Sequence, residues 1–135
     1  MHMTIKEVSK KCDITQDTLR YYERVGMIPK VTRTAGGIRN YTEEDISWVE
    51  LAKCMRSAGL PVEAMIEYVR LYQLGDETIP ARLQLLIDQR EALLEQRKQI
   101  DATLHRLAYK IECYEDAVKT GVLCWDTVDD CKAST

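Results

Sequence analysis

The chain has 135 residues, a formal net charge of −3, 45% hydrophobic and 30% charged residues, five Cys and no Phe. That supplies one core and a small appendage, while no stretch approaches the ~20 apolar residues of a membrane helix or the basic, apolar and cleavable order of an export signal. A cytoplasmic chain is therefore expected, with its thiols mostly reduced, which sets aside a disulfide scaffold. Charge is unevenly spread: residues 1–41 hold eight Lys or Arg against four Asp or Glu, and the later segments are acidic. A polyanion is expected to meet the first third.

Thr4 caps a helix from Ile5 to Lys11, with Glu7 at the third helical position as in a capping box. Cys12, Asp13 and Ile14 make a turn. Thr15 caps a second helix in which Leu19 faces inward, Thr18, Arg20, Tyr21 and Tyr22 fan around the other sides, and Gly26 ends the element as a left-handed cap. Two short helices joined by a tight turn match a helix-turn-helix, whose second helix enters the major groove; any small helical hairpin would share the pattern. Pro29 stops the helix. Val31-Thr32-Arg33 and Ile38-Arg39-Asn40-Tyr41 then flank a Gly36-Gly37 turn and predict a two-stranded hairpin, the wing of a winged helix, with Arg33 and Arg39 near its tip.

Thr42 and Asp45 open a third helix with the stripe Ile46, Val49, Ala52 and Met55, ending at Gly59. Pro61 begins a fourth, whose inward face is Val62, Met65, Ile66, Val69, Tyr72 and Leu74 up to Gly75. From residue 79, steps of four and three meet Ile79, Leu83, Leu86, Arg90, Leu93, Arg97, Ile100, Leu104, Leu107, Ile111, Tyr114 and Val118, and ten of these twelve are apolar. A repeat of 3.5 residues held over more than five heptads signals a coiled coil. From Thr78 to Gly121 the helix would be about 66 Å long at 1.5 Å per residue, too long for so small a domain to cover. A homodimer is expected, with the apolar positions as its seam and Arg90 and Arg97 either fixing register or snorkelling. The fold class is mainly α. Residues 1–75 form a winged helix-turn-helix DNA-binding domain with two following helices, 76–121 a coiled-coil dimerisation helix, and 122–135 a carboxy-terminal tail.

The run Thr18-Leu19-Arg20-Tyr21-Tyr22-Glu23-Arg24, then Gly26-Met27-Ile28, Gly37-Ile38-Arg39-Asn40-Tyr41-Thr42 and Asp45-Ile46, resembles the signature of MerR-type bacterial transcription regulators. The resemblance runs from Ile5 through the long helix. It implies that Thr18 and Arg20 face the groove, that Tyr21 meets the DNA backbone, that Arg39 and Tyr41 act from the wing, and that Arg56 clamps a phosphate near the operator centre, with Lys53 beside it. It also implies a pseudo-palindromic site in double-stranded promoter DNA, whose bending and untwisting by the dimer brings the promoter elements into register for RNA polymerase.

The cysteines bear on the effector. Metal-sensing relatives place a ligand at the start of the dimer helix, yet Asp76-Glu77-Thr78-Ile79-Pro80 offers neither Cys nor His. Cys124 and Cys131, with Cys113, imitate a carboxy-terminal thiolate set suited to zinc or copper(I), without the family's glycine and proline loop. Cys54 lies between Lys53 and Arg56, cations of the kind that favour a thiolate; its ordinary reading is a small buried hydrophobe. The segment resembles the aldehyde- and electrophile-responsive MerR subgroup that lacks metal ligands and keeps a cysteine here, so Cys54 is the expected sensor, with no cofactor and no metal. An enzyme is not expected: there is no phosphate loop, paired carboxylate site or nucleophile motif, and His105 reads as a solvated side chain. A coiled-coil adaptor is the rival outside DNA binding, but it leaves Tyr21, Arg39 and Arg56 without a role.

Overall fold

A computed structural model describes residues 2–125. In chain order it contains α1 (Ile5–Cys12), α2 (Gln16–Val25), α3 (Glu43–Ser57), α4 (Val62–Gln73), a 3-10 turn over Asp76–Thr78, and α5 (Ile79–Thr120). The architecture is mainly helical. The helix starts follow from their caps. Thr4 Oγ1 accepts the Glu7 amide at 3.2 Å while Glu7 Oε1 accepts the Thr4 amide at 2.9 Å, and Thr42 with Asp45 repeats the box at α3. Gly26, at φ 88°, closes α2 with its amide bonded back to Tyr22 and Glu23 carbonyls, a conformation that costs glycine nothing.

Between α2 and α3 the expected hairpin forms only as a minimal wing. Thr34 donates to the Ile38 carbonyl at 2.8 Å and Asn40 to the Thr32 carbonyl at 2.7 Å, around a turn closed by Gly37 at φ 83°. Arg33 and Arg39 face each other as a single antiparallel bridge. Two full strands were expected, but among the described residues no strand longer than a bridge is present, because the next pair is broken off. Tyr41 instead exchanges both main-chain hydrogen bonds with Met3, at 2.8 and 2.9 Å. This ties the wing's return arm to the start of the chain.

Val8, Leu19, Tyr22, Met27, Ile28, Tyr41, Val49 and Met65 are among the buried side chains of a core shared by α1 to α4 and the wing base. With no Phe, tyrosines and methionines fill the larger volumes. Tyr22 belongs to this core, not to the outer sides of α2 where the sequence placed it. Tyr72 and Leu74, expected to face inward, are exposed at 42% and 59%. Tyr72 instead stands edge-on to Trp48, with ring centroids 5.0 Å apart, and lies beneath the Arg82 guanidinium.

The chain separates into two compact units, Met1–Leu93 and Leu94–Thr135. The first extends past residue 75 because Leu93, on α5, packs against the core. Farther along α5 the repeat is uncovered: Ile100 is 59% exposed, Leu104 57% and Ile111 57%. Among the described residues no helix is long and apolar enough to cross a membrane.

Candidate nucleic-acid interface

α2 owes its position to one face. Leu19 and Tyr22 are buried, and complete burial of a Leu contributes about 2 kcal/mol. The opposite face is left to solvent and carries Arg20 and Tyr21. Thr15 Oγ1 accepts the Thr18 amide at 3.1 Å and donates to the Thr18 hydroxyl at 2.8 Å, so Thr18 sits half-buried in the first turn. Arg20 reaches back along the helix to Asp17 at 3.0 Å and Gln16 at 3.3 Å, both exposed contacts of the kind worth little in water. Tyr21 is 37% exposed, with the Arg24 guanidinium 5.5 Å from its ring centre.

The α2 face continues onto the wing through one carboxylate. Glu23 Oε2 accepts the Val31 amide at 2.8 Å, and Oε1 accepts Arg39 Nε at 2.7 Å and Arg33 Nη2 at 3.4 Å. The Glu23 side chain is only 7% exposed. Burial by itself would raise its pKa, but the Val31 amide, the Arg39 hydrogen bond and the charges of Arg39 and Arg33 together outweigh burial and hold the carboxyl below its usual range. A surface cavity of about 330 Å³ opens among Arg20, Glu23, Arg24, Lys30, Arg33 and Arg39. Five cations around a single, already satisfied carboxylate make a site for anions, and a phosphodiester backbone is the anion that a helix and an adjoining wing are shaped to follow.

The structure thus brings Arg20 and Arg39 to one cavity, while Thr18 and Tyr21 are carried on the same helix as Arg20 without lining it. It adds Arg24, Lys30 and Arg33, which the sequence-based set omitted. Arg33 had been visible as the other wing-tip arginine; Arg24 and Lys30 sit at the end of α2 and in the following loop, where spacing alone gives no direction.

Tyr41 is a correction. It is fully buried, because its main-chain pairing with Met3 turns the ring into the core, and it cannot touch DNA as the wing residue it was expected to be. Its hydroxyl has no hydrogen-bond partner among the described residues. Burial, more than any charge nearby, raises its pKa.

On α3, Lys53 donates its ammonium to the Cys12 carbonyl at the end of α1, so it closes a helix end. Arg56 Nη1 donates to the Leu60 carbonyl at 2.6 Å, bracing the turn between α3 and α4, and the residue remains exposed. The two cations flanking Cys54 are therefore both hydrogen-bonded to main-chain carbonyls. Cys54 itself is exposed, unlike the small interior hydrophobe that a helical cysteine usually is. Cys12, by contrast, is buried; desolvation first, and the nearby Glu50 carboxylate second, push its thiol pKa up. Cys113 and Cys124 border one cavity of about 430 Å³ at the end of α5, together with Glu112 and Asp116. No group of three or more His, Cys, Asp or Glu placed to hold a metal occurs among the described residues, and Cys131 lies outside them.

Comparison with known proteins agrees with this geometry. A family model described as MerR HTH family regulatory protein matches residues 3–71. The HTH-type transcriptional regulator AdhR of Bacillus subtilis is 55% identical over 93 residues, which are 69% of this chain and 66% of that protein. The crystal structure of a MerR family transcriptional regulator from Listeria monocytogenes superposes with a TM-score of 0.84 at 39% identity, covering 88% of this chain and 90% of that one. HiNmlR, described as a MerR family regulator lacking the sensor domain and solved bound to promoter DNA, superposes at 0.83 with 29% identity over 91% of this chain and 98% of its own. The named relatives are regulators of transcription, not enzymes.

Proposed function

Because the chain belongs to the MerR family of DNA-binding helix-turn-helix transcriptional regulators, we propose that it controls a detoxification promoter by distorting the DNA in response to reactive aldehydes or related electrophiles, sensed through Cys54. It does so as a homodimer joined along the α5 repeat, and RNA polymerase at the promoter reads the distortion. Thr18, Arg20 and Tyr21 on α2, with Arg39 on the wing and Arg56 at the end of α3, meet the duplex.

The observation that carries the sensing step is the exposure of Cys54 on the helix that also bears Arg56. Its sulfur adds to the carbonyl carbon of an aldehyde; a C–S bond forms, the C=O π pair moves to oxygen, and the thiol proton ends on that oxygen. The product is a hemithioacetal, and no oxidant is needed. The adduct forms at the α3 corner, where the Cys54 carbonyl accepts the Ala58 amide at 3.1 Å, the Arg56 and Met55 carbonyls accept the Gly59 and Leu60 amides at 3.0 Å each, and Arg56 braces Leu60. Bulk added at Cys54 shifts this corner and the Arg56 head group with it, which turns local chemistry into a change in the DNA. HiNmlR lacks a sensor domain and shares most of this chain's fold, which supports a sensing group within the shared region. The uncovered repeat at Ile79, Leu83, Leu86, Ile100, Leu104, Leu107, Ile111, Tyr114 and Val118 supports the second chain.

The test is transcription in vitro from a promoter that the protein occupies in cells, using reduced, metal-free protein. Formaldehyde is added in one arm and zinc or copper(I) in another. The expected result is aldehyde activation that is lost in Cys54→Ser and kept in the Cys124→Ser, Cys131→Ser double variant. Activation by metal alone, lost only in the double variant, would overturn the sensing assignment in favour of a thiolate metal site at Cys113, Cys124 and Cys131.

A further inference from the structure

Arg39 is held in an unusual way for a residue at a nucleic-acid surface. Glu23 takes its Nε, at 2.7 Å, and its two terminal nitrogens have no partner among the described residues. A guanidinium gripped by its Nε edge presents the remaining Nη fork outward in a fixed plane, the arrangement that pairs with two oxygens of one phosphate. Arg33 is bound differently: Nη1 donates to the Gly37 carbonyl at 3.0 Å and Nη2 to Glu23, so this side chain ties the wing turn to α2. The same carboxylate also takes the Val31 amide where the chain enters the wing. One nearly buried side chain on α2 therefore fixes the wing's base, its turn and the aim of its arginine.

We infer that Glu23 is a positioning residue for DNA recognition: it presents the Nη fork of Arg39 to a single backbone phosphate at a set distance from the groove-facing side of α2, and so makes the wing contact conditional on correct docking. The inference rests on the DNA-binding reading above. Its physical content is preorganisation. An arginine already fixed in its bound orientation loses little rotamer freedom on binding, whereas a free one meets any nearby phosphate and must be ordered first. The acidic charge also works against indiscriminate binding, because it offsets part of the attraction between the surrounding cations and arbitrary DNA.

Glu23→Gln separates these effects from simple support of the fold, since its amide oxygen still accepts the Val31 amide while the negative charge toward Arg39 and Arg33 is lost. Arg39→Lys probes the same unit from the other side: one ammonium cannot hold Glu23 by one edge and offer a planar fork with the other. The probes are a duplex selected by the wild-type protein from a randomised pool and an unselected duplex of equal length, titrated over a range of salt. The readout is the ratio of the two dissociation constants. Each single variant is expected to narrow that ratio about fivefold, from the ordering cost of one long side chain. Glu23→Gln is expected to bind the unselected duplex at least as tightly as wild type at low salt, and the double variant to lose no more discrimination than either single one.

Multiplicative losses in the double variant, or a parallel fall of both affinities in Glu23→Gln that leaves their ratio unchanged, would show that Glu23 merely supports the fold. If the wild-type protein selects no duplex at all, the DNA-binding reading fails; a selecting wild type with an unaltered ratio in both variants overturns the positioning role alone.

Discussion

Replacing Tyr41 by Phe separates the two places this residue can occupy, a wing contact or the core. The ring is fully buried, and the hydrogen bonds that fix it are main-chain bonds to Met3, which Phe keeps. What Phe removes is a hydroxyl without a partner among the described residues. A buried polar group left unpaired costs about 1–3 kcal/mol, so Tyr41→Phe is expected to stabilise the amino-terminal unit, by about 1 kcal/mol if the low end applies. For a domain of about this size that raises the melting temperature by roughly 4 °C or more. The pH dependence has a definite sign. Burial raises the phenol's pKa in the folded state; its contribution is complete below the ordinary tyrosine value near 10 and is lost as pH rises through the folded value. The advantage of Phe should therefore grow in alkali. The assay is thermal melting followed by circular dichroism at neutral and alkaline pH, with affinity for a selected duplex measured alongside and expected to stay within about twofold of wild type. A variant that melts about 1 kcal/mol below wild type, or binds about tenfold more weakly, would show that the hydroxyl has a partner in the protein or in the DNA.

The other predictions are simpler to measure. Alkylation by iodoacetamide near neutral pH, followed by peptide mass spectrometry, should modify exposed Cys54 about tenfold faster than Cys12, which is buried and has a raised pKa; equal rates would remove the structural basis for choosing Cys54. Leu104→Glu, in the uncovered repeat, loses about 1.5 kcal/mol of burial or more in each chain of a dimer, so sedimentation equilibrium should show self-association weakened about a hundredfold; an unchanged dimer would place the interface elsewhere. Glu23 has a depressed folded pKa, so its contribution to stability is present above its unfolded value near 4.3 and is lost as pH falls through the folded one. Wild type should melt above Glu23→Gln at neutral pH, with the gap closing below about pH 4; a gap that persists in acid would mean that the carboxylate's charge is not what stabilises the wing.

The helices were legible in the sequence because their signals are local. Thr4 with Glu7, Thr42 with Asp45, and Gly26 announce ends that the backbone honours to within a residue or two. The long repeat of α5 needed only its period. What was misread depended on partners distant in the chain. Tyr41 alternates correctly for an exposed wing residue, and nothing near it in sequence reveals that Met3 will pair with it and turn it inward. Lys53 reads as a free cation on a helix, yet it finds the Cys12 carbonyl, 41 residues away, which only the folded chain brings within reach. Tyr22 was placed outside because adjacent aromatics on a helix cannot both be assigned to one face without knowing what packs there. Glu23 was visible only as a letter in a family signature; its role depends on a wing that folds back over α2.

The most direct test of sensing through Cys54 is the end-to-end distance of a selected duplex, measured by energy transfer between dyes on its termini, with the reduced protein bound before and after formaldehyde. The expected result is a change in DNA shape with the wild-type protein and none with Cys54→Ser, both proteins remaining bound. An equal change with Cys54→Ser, or no change with either protein, would contradict the assignment of Cys54 as the residue through which this regulator reads its signal.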